Sequence, residues 1–354
     1  MAKFEIPRYQ YLDPAGQLTA QAPADLPAVS ILKTLYRLMV LTRVFDTKAI
    51  LLQRTGKLGT YPSVRGQEAV FVGAGYALAP DDVYVPYYRD VGALIQRGAR
   101  LRDILLFWGG DERGNQYASP HNFPYCVPIA SQLLHAAGAA TAIRIQQEVR
   151  AVLVTCGDGA TSEGDFYEAI NVAGVWDLPI VFIVSNNQWA ISVPRSRQTR
   201  ALTLAQKAVA AGIPGEQVDG NDVLAVQDRV AQALTRARTE HIPCVIEMTC
   251  YRQGDHTTAD DASRYEPVGQ RQQEWEKEPI ARLRHYLETQ QAWTEQDEIA
   301  LQSDCLETVE AEIAAYLETP PEPLTAMVDY LYATLPISLM AQRDELAERE
   351  AAHG

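Results

Sequence analysis

Asp158 lies between two glycines in the stretch VTCGDGATSEGDFYEAIN, residues 154–171. An apolar run stops at Cys156, and a helix-like pattern starts shortly after Gly159. Glycines at a strand end let backbone N–H groups approach an anion, which makes this a phosphate-site arrangement. A carboxylate in that place repels phosphate unless a divalent cation lies between them. Mg²⁺ fits the role, because it is hard and octahedral and takes one or two protein oxygens beside phosphate oxygens. A second oxygen is available from SNNQW, residues 185–189, where Asn186 and Asn187 follow Asp158 by 28 and 29 positions.

Those two segments must be held side by side. RAVLVTC (150–156) and LPIVFIVSNN (178–187) read as buried strands, and EGDFYEAINVAGVW (163–176) reads as the helix between them. Continuous apolar runs are what parallel strands covered on both faces require. Strand, helix and strand of this length form a right-handed βαβ unit. Both carboxyl ends then lie on one edge of the sheet, where open α/β sheets bind ligands. Backbone N–H groups of Gly159, Ala160 and the helix start face the phosphate there.

Two commoner motifs fail. A dinucleotide fingerprint places glycines at 157, 159 and 162, and position 162 is Ser162. A P-loop needs Lys after its last glycine, and Asp165 follows Gly164.

Three regions are expected along the 354 residues. Residues 1–29, rich in Pro, Ala and Gln, read as an N-terminal arm. Residues 30–266 read as the α/β domain. Residues 267–354 read as a charged helical extension. A helix begins near Ser30, with Ile31, Leu35, Leu38, Leu41 and Phe45 on one face. DDVYVPYYRDVGALIQRG (81–98) reads as a short strand, a Tyr-Arg-Asp at its end, and a helix. A long irregular loop follows LRDILLFW (101–108). TLAQKAVAAG (203–212) and GEQVDGNDVLAVQDRVAQALTRART (215–239) both read as helical, and PCVIEMTCYR (243–252) reads as a strand. The small-residue helices at 64–79 and 130–142 suit close packing, within the chain or against a partner.

The formal net charge of −14 argues against a nucleic-acid backbone as partner. No apolar run reaches the roughly 18 to 20 residues that span a bilayer, and MAKFEIPRYQ lacks the apolar core of a signal peptide. Five cysteines, none spaced as CxxC, fit reduced and mostly buried thiols in a cytoplasmic protein. Cys156 reads as a packed core thiol. Glu163 and Glu168 are spaced to pair as acid and base, but acidic residues also oppose the dipole of a helix start.

GDG, then 26 residues, then NN, with a strand before each, is the thiamine diphosphate signature. From about residue 30 onward the chain resembles the α subunits of 2-oxo acid dehydrogenase E1 components, most nearly the pyruvate type. GQEA (66–69), YRD (88–90), GNQ (114–116), NNQWAISVP (186–194), VDGND (218–222) and YRQGDHTTADDASRYEP (251–267) carry the resemblance. It implies a thiamine diphosphate-binding fold: a mostly parallel sheet with helices on both faces. It implies that Asp158, the side chain of Asn187 and the carbonyl of Trp189 ligate Mg²⁺. Tyr88 and Arg89 would reach the diphosphate, with backbone contacts from Gly157, Gly159 and Ala160. Ile129 would lie under the bent cofactor. His256 would sit on a loop at the cofactor mouth as the catalytic residue. Read alone, Arg89 could be a surface ion-pair residue and His256 a solvated loop histidine, but the context favours the functional reading of both.

The carboxylate that activates the cofactor ring belongs to the β subunit in this family, and no motif here supplies it. The resemblance therefore implies an α2β2 heterotetramer, inactive as α alone, that passes the acyl group to the lipoyl group of a dihydrolipoyl acyltransferase core (E2). SEGD, PIASQ and HTTADDASRY also resemble branched-chain members, whose K⁺ site Pro128, Ser131 and Gln132 match. Acetoin dehydrogenase is a third option. From other classes, a non-catalytic Mg²⁺- and phosphate-binding partner and a nicotinamide oxidoreductase remain rivals. Intact Asp158, Asn187 and Arg89 oppose the first, and Ser162 opposes the second.

Overall fold

The computed structural model describes residues 4–116 and 119–353. Residues 1–3 of the expected arm and 354 of the expected extension lie outside the described residues.

The strands in chain order are β1 (Arg8–Tyr9), β2 (Val83–Val85), β3 (Val152–Gly157), β4 (Ile180–Asn186), β5 (Trp189–Ala190), β6 (Val193–Pro194), β7 (Gly215–Asp219) and β8 (Cys244–Thr249). Six of them form one sheet in the order β1-β7-β8-β4-β3-β2. All of its pairs are parallel. β5 and β6 form a separate antiparallel hairpin.

Helices cover both faces. They are α1 (Val29–Arg54), α2 (Glu68–Ala77), α3 (Val91–Gln96), α4 (Leu101–Trp108), α5 (Ser131–Gln146), α6 (Gly164–Val175), α7 (Arg195–Gln198), α8 (Lys207–Ala210) and α9 (Val223–Glu240). Alternate strand residues feed two hydrophobic layers, as the two-residue period of a strand requires. Leu153, Val181 and Ile183 pack with α1, α2 and α9. Val152, Val154, Cys156, Ile180, Phe182 and Val184 pack with α5 and α6. The α/β fold class expected from the sequence is the one observed.

Register fixes the site. Gly157 on β3 lies opposite Ser185 on β4. Asp158 therefore leaves β3 beside Asn186, the last residue of β4, and Asn187 follows at the carboxyl edge of the sheet.

Three elements differ from the sequence reading. Residues 215–219 form the strand β7, not the start of a helix. Only Val218 of GEQVD enters the main core, so the segment carries no apolar run, and its pairing to β8 decides its state. TLAQKAVAAG yields only the four-residue α8. The arm is woven in: Arg8 and Tyr9 extend the sheet beside β7, and Leu12 is fully buried. Asp222 holds it there, accepting the backbone N–H groups of Tyr11 at 2.6 Å and Leu12 at 2.7 Å.

The small-residue helices divide. A Cβ on Gly73 would lie 2.6 Å from Val226 of α9, and one on Gly75 would lie 2.7 Å from Ala93 of α3. These small residues of α2 therefore serve packing within the chain. A Cβ on Gly138 of α5 would meet nothing within 4 Å. Beyond β8 run α10 (Gln270–Trp275), α11 (Pro279–Thr289), α12 (Glu295–Leu317), α13 (Ala326–Asp329) and α14 (Ile337–His353). α11 and α12 pack on α1. No helix among the described residues is long and apolar enough to cross a membrane.

Candidate functional site

A cleft opens at the carboxyl edge of the sheet. Tyr88, Arg89, Ile129, Gly157, Asp158, Gly159, Ala160, Asn187, Trp189 and His256 all line it. The ten residues that the resemblance named as thiamine diphosphate or Mg²⁺ contacts thus meet in one place.

Asp158 follows β3 directly and is almost fully buried. Its Oδ2 accepts a 2.6 Å hydrogen bond from Nε2 of Gln198. Burial pushes its carboxyl up to about 6, against the Gln198 bond and the more distant Arg252 and Arg195. An ionised carboxylate costs heavily in such a place without a cation. Asn187 stands beside it on the neighbouring strand exit, also buried. Its Oδ1 accepts the backbone N–H of Trp189 at 3.1 Å, and a carboxamide oxygen keeps a second lone pair free. Asn186 turns elsewhere and donates to Glu247 at 2.6 Å. A carboxylate, a carboxamide oxygen and a backbone carbonyl are the hard oxygens that Mg²⁺ takes. The residues present fit the ion.

The hairpin of β5 and β6 folds over this edge. A Cβ on Gly159 would lie 2.8 Å from Cβ of Ala190, so only glycine admits the hairpin so close. Gln188 and Ile191, with φ of +73° and +56°, take the left-handed conformation on either side of β5. Such strain in non-glycine residues persists only where the surroundings hold it. Arg252, buried, donates to the carbonyl of Ile191 at 2.9 Å.

The opposite wall is cationic. Arg89 is buried, and it is no surface ion-pair residue. One Nη donates to the carbonyl of Ser63. The other reaches the carbonyl of His256 at 2.7 Å and its Nδ1 at 3.0 Å. The guanidinium also lies 5.3 Å from the ring centroid of Tyr88. Burial lowers the pKa of His256 to about 3, and Arg89 and Arg252 lower it further than the nearby Asp260 raises it. The imidazole is therefore neutral, and Arg89 makes Nδ1 the acceptor, so Nε2 carries the proton.

Under that wall lies Asp90, which is wholly buried. Its Oδ2 accepts from the Tyr84 hydroxyl at 2.5 Å, the Tyr87 N–H at 3.1 Å and the Thr155 hydroxyl. Burial pushes its carboxyl up to about 7. These bonds clamp the turn that presents Tyr88 and Arg89.

Ile129 is half exposed and, with Val127, gives the cleft its apolar side. Ser131 donates to the carbonyl of Pro128 at 2.9 Å, and Gln132 donates to the carbonyl of Thr155 at 2.9 Å. Oε1 of Gln132 is buried with no hydrogen-bond partner among the described residues. Cys156 is a buried core thiol, its pKa raised by burial. Glu163 is the N-cap residue of α6 and lines the cleft, while Glu168 lies on the exposed face of the same helix.

Sequence reasoning missed Gln198, Ala190 and Gln67. Gln198 returns to Asp158 from forty positions along the chain, and no local pattern marks it. Gln67 lay inside a quoted motif without a role.

Comparison with known proteins gives the family. Residues 36–324 match the model of the dehydrogenase E1 component family. The chain is 41% identical over 341 residues to a 3-methyl-2-oxobutanoate dehydrogenase subunit alpha of Mycobacterium tuberculosis (strain ATCC 25618 / H37Rv), covering 95% of this chain and 92% of the relative. It is 38% identical over 359 residues to pyruvate dehydrogenase E1 component subunit alpha of Staphylococcus epidermidis (strain ATCC 12228 / FDA PCI 1200), covering 99% and 95%. The same protein of Staphylococcus aureus (strain COL) is similar to the same degree.

Proposed function

We infer the role of this chain from its family: it belongs to the dehydrogenase E1 components, as the α subunit of a 2-oxo acid dehydrogenase. Enzymes of this family use thiamine diphosphate. We propose that the substrate is pyruvate and that the acetyl group passes to the lipoyl group of an E2 core. The observation that carries the reading is the buried Asp158 facing Asn187 across two parallel strand ends, in one cleft with Arg89 and His256.

Asp158, Asn187 and the carbonyl of Trp189 would hold Mg²⁺, and Tyr88, Arg89 and the backbone of Gly157, Gly159 and Ala160 would hold the diphosphate. Ile129 would support the bent cofactor from its apolar side. Bound thiamine diphosphate supplies the carbon nucleophile and electron sink that decarboxylation of a 2-oxo acid needs. This chain binds and orients. Arg89 offers fixed positive charge to the phosphate oxygens. Neutral His256 holds its proton on Nε2, ready to donate to an oxygen at the cofactor mouth. Pro128, Ser131 and Gln132 are a candidate K⁺ site, supported by the unpartnered Oε1 of Gln132.

No residue lining the cleft is assigned to the carboxylate that must face the aminopyrimidine ring. A β subunit would supply it in an α2β2 assembly, leaving α inactive alone. Five unpaired thiols support placement in the cytoplasm. The 41% identical mycobacterial relative favours a second reading, in which the substrate is 3-methyl-2-oxobutanoate.

The test is dye reduction by the chain co-expressed with its β subunit, in thiamine diphosphate and Mg²⁺. Pyruvate preferred over 3-methyl-2-oxobutanoate supports the proposal. Preference for the branched acid transfers the same site to the second reading.

A further inference from the structure

We propose that Gln67 is the positioning residue that holds Asn187 with its oxygen toward the metal. The inference rests on the metal reading of Asn187 given above.

Gln67 is the N-cap residue of α2 and is fully buried. Its Oε1 accepts from Nδ2 of Asn187 at 3.1 Å, from the Ser185 hydroxyl at 3.0 Å and from the Tyr87 hydroxyl at 3.3 Å. One oxygen thus ties the exit of β4 to the turn after β2. Its own Nε2 has no hydrogen-bond partner among the described residues. The bond decides which way the amide of Asn187 points. The NH₂ is held by Gln67, and the oxygen accepts the N–H of Trp189. Turned round, Asn187 would set its NH₂ against the Trp189 N–H and present a donor to a cation. Turning Gln67 round would set one NH₂ against another.

The turn before α2 is built to deliver this side chain. Gly66 has φ of +86°, and a Cβ there would lie 2.3 Å from the carbonyl of Tyr251. The neighbouring Glu68 accepts the Gly66 N–H at 2.9 Å and pairs with Arg43. Backbone and side chains together press Gln67 under the strand ends. Partners that orient a metal ligand commonly affect affinity by about 10- to 100-fold.

The test measures Mn²⁺ binding by the electron paramagnetic resonance signal of the free ion. It uses the chain assembled with its β subunit in saturating thiamine diphosphate. Gln67→Met, which removes the acceptor, is expected to weaken Mn²⁺ by about tenfold or more. Gln67→Glu, which keeps an acceptor oxygen in place, is expected to retain it. In an Asn187→Asp background there is no amide to orient, so Gln67→Met should have no further effect on Mn²⁺ affinity. Should Gln67→Met fail to fold, Gln67→Glu with Asn187→Asp answers instead. Two carboxylates then face each other with no N–H between them, and the pair should bind Mn²⁺ about tenfold more weakly than either single variant. Equal losses from Gln67→Met in both backgrounds, or a Gln67→Met that binds Mn²⁺ as the wild type does, would overturn the inference alone. A wild type that binds no Mn²⁺ would overturn the metal reading beneath it.

Discussion

Arg89 and His256 are joined across the mouth of the cleft, Nη2 of Arg89 lying 3.0 Å from Nδ1 of His256 and 2.7 Å from its carbonyl oxygen. A wall residue fixed by β2 thereby sets the tautomer of a residue on the loop after β8. The imidazole should stay neutral through the working range. Burial and the two arginines hold its pKa near 3, so its ring C–H resonances should not shift between about pH 5 and 8. Replacing Arg89 by Met should raise that pKa toward the ordinary value. His256→Ala should lower kcat by about 100-fold or more. His256 resonances titrating near 6.5 in the wild type would contradict this geometry.

Gly159 and Ala190 set how closely the β5–β6 hairpin approaches the site. Gly159→Ala places a Cβ 2.8 Å from that of Ala190. Such overpacking costs about 1–3 kcal/mol, which corresponds to about 5- to 150-fold in cofactor affinity if the hairpin is pushed off. Calorimetric titration of thiamine diphosphate with Mg²⁺ measures it. Adding Ala190→Gly to Gly159→Ala should restore most of the loss. Failure of the second substitution to rescue would show that the contact does not set the approach.

Asp90 should leave a mark on the pH dependence of stability. Its carboxyl titrates near 7 in the fold, against 3.8 when free. Between those values the folded chain keeps a proton that the unfolded chain releases. The contribution of Asp90 is therefore most favourable below about pH 4 and declines as pH rises toward 7. Asp90→Asn removes that decline, worth up to about 1.4 kcal/mol per pH unit. Urea unfolding of the wild type and the variant, compared across this range, checks it. Identical slopes would place the titration of Asp90 elsewhere.

Much of the site was legible because its chemistry is local. Asp158 between two glycines, and Asn187 after the next strand, fall within one βαβ unit whose apolar runs announce themselves. The register of β3 and β4 then brings them together without further information. β7 was not legible, because Glu216 and Gln217 interrupt its apolar pattern and only pairing with β8 and β1 makes it a strand. β1 is two residues long and takes its conformation from a neighbour more than two hundred positions away. Gln198 and Gln67 were missed for a related reason. A glutamine amide has no spacing signature, and its role appears only when the chain returns to the carboxylate or carboxamide it serves.

The central proposal is a metal held by Asp158, and thiamine diphosphate binding by the assembled α and β subunits tests it most directly. Calorimetric titration would compare the wild type in Mg²⁺, the wild type in a chelator, and Asp158→Asn in Mg²⁺. Tight binding is expected only in the first case. The other two should lose affinity by about 100-fold or more, the effect of removing one partner from a buried charge pair. Equal affinity in all three, with the assembly intact, would contradict a metal-bridged diphosphate at Asp158.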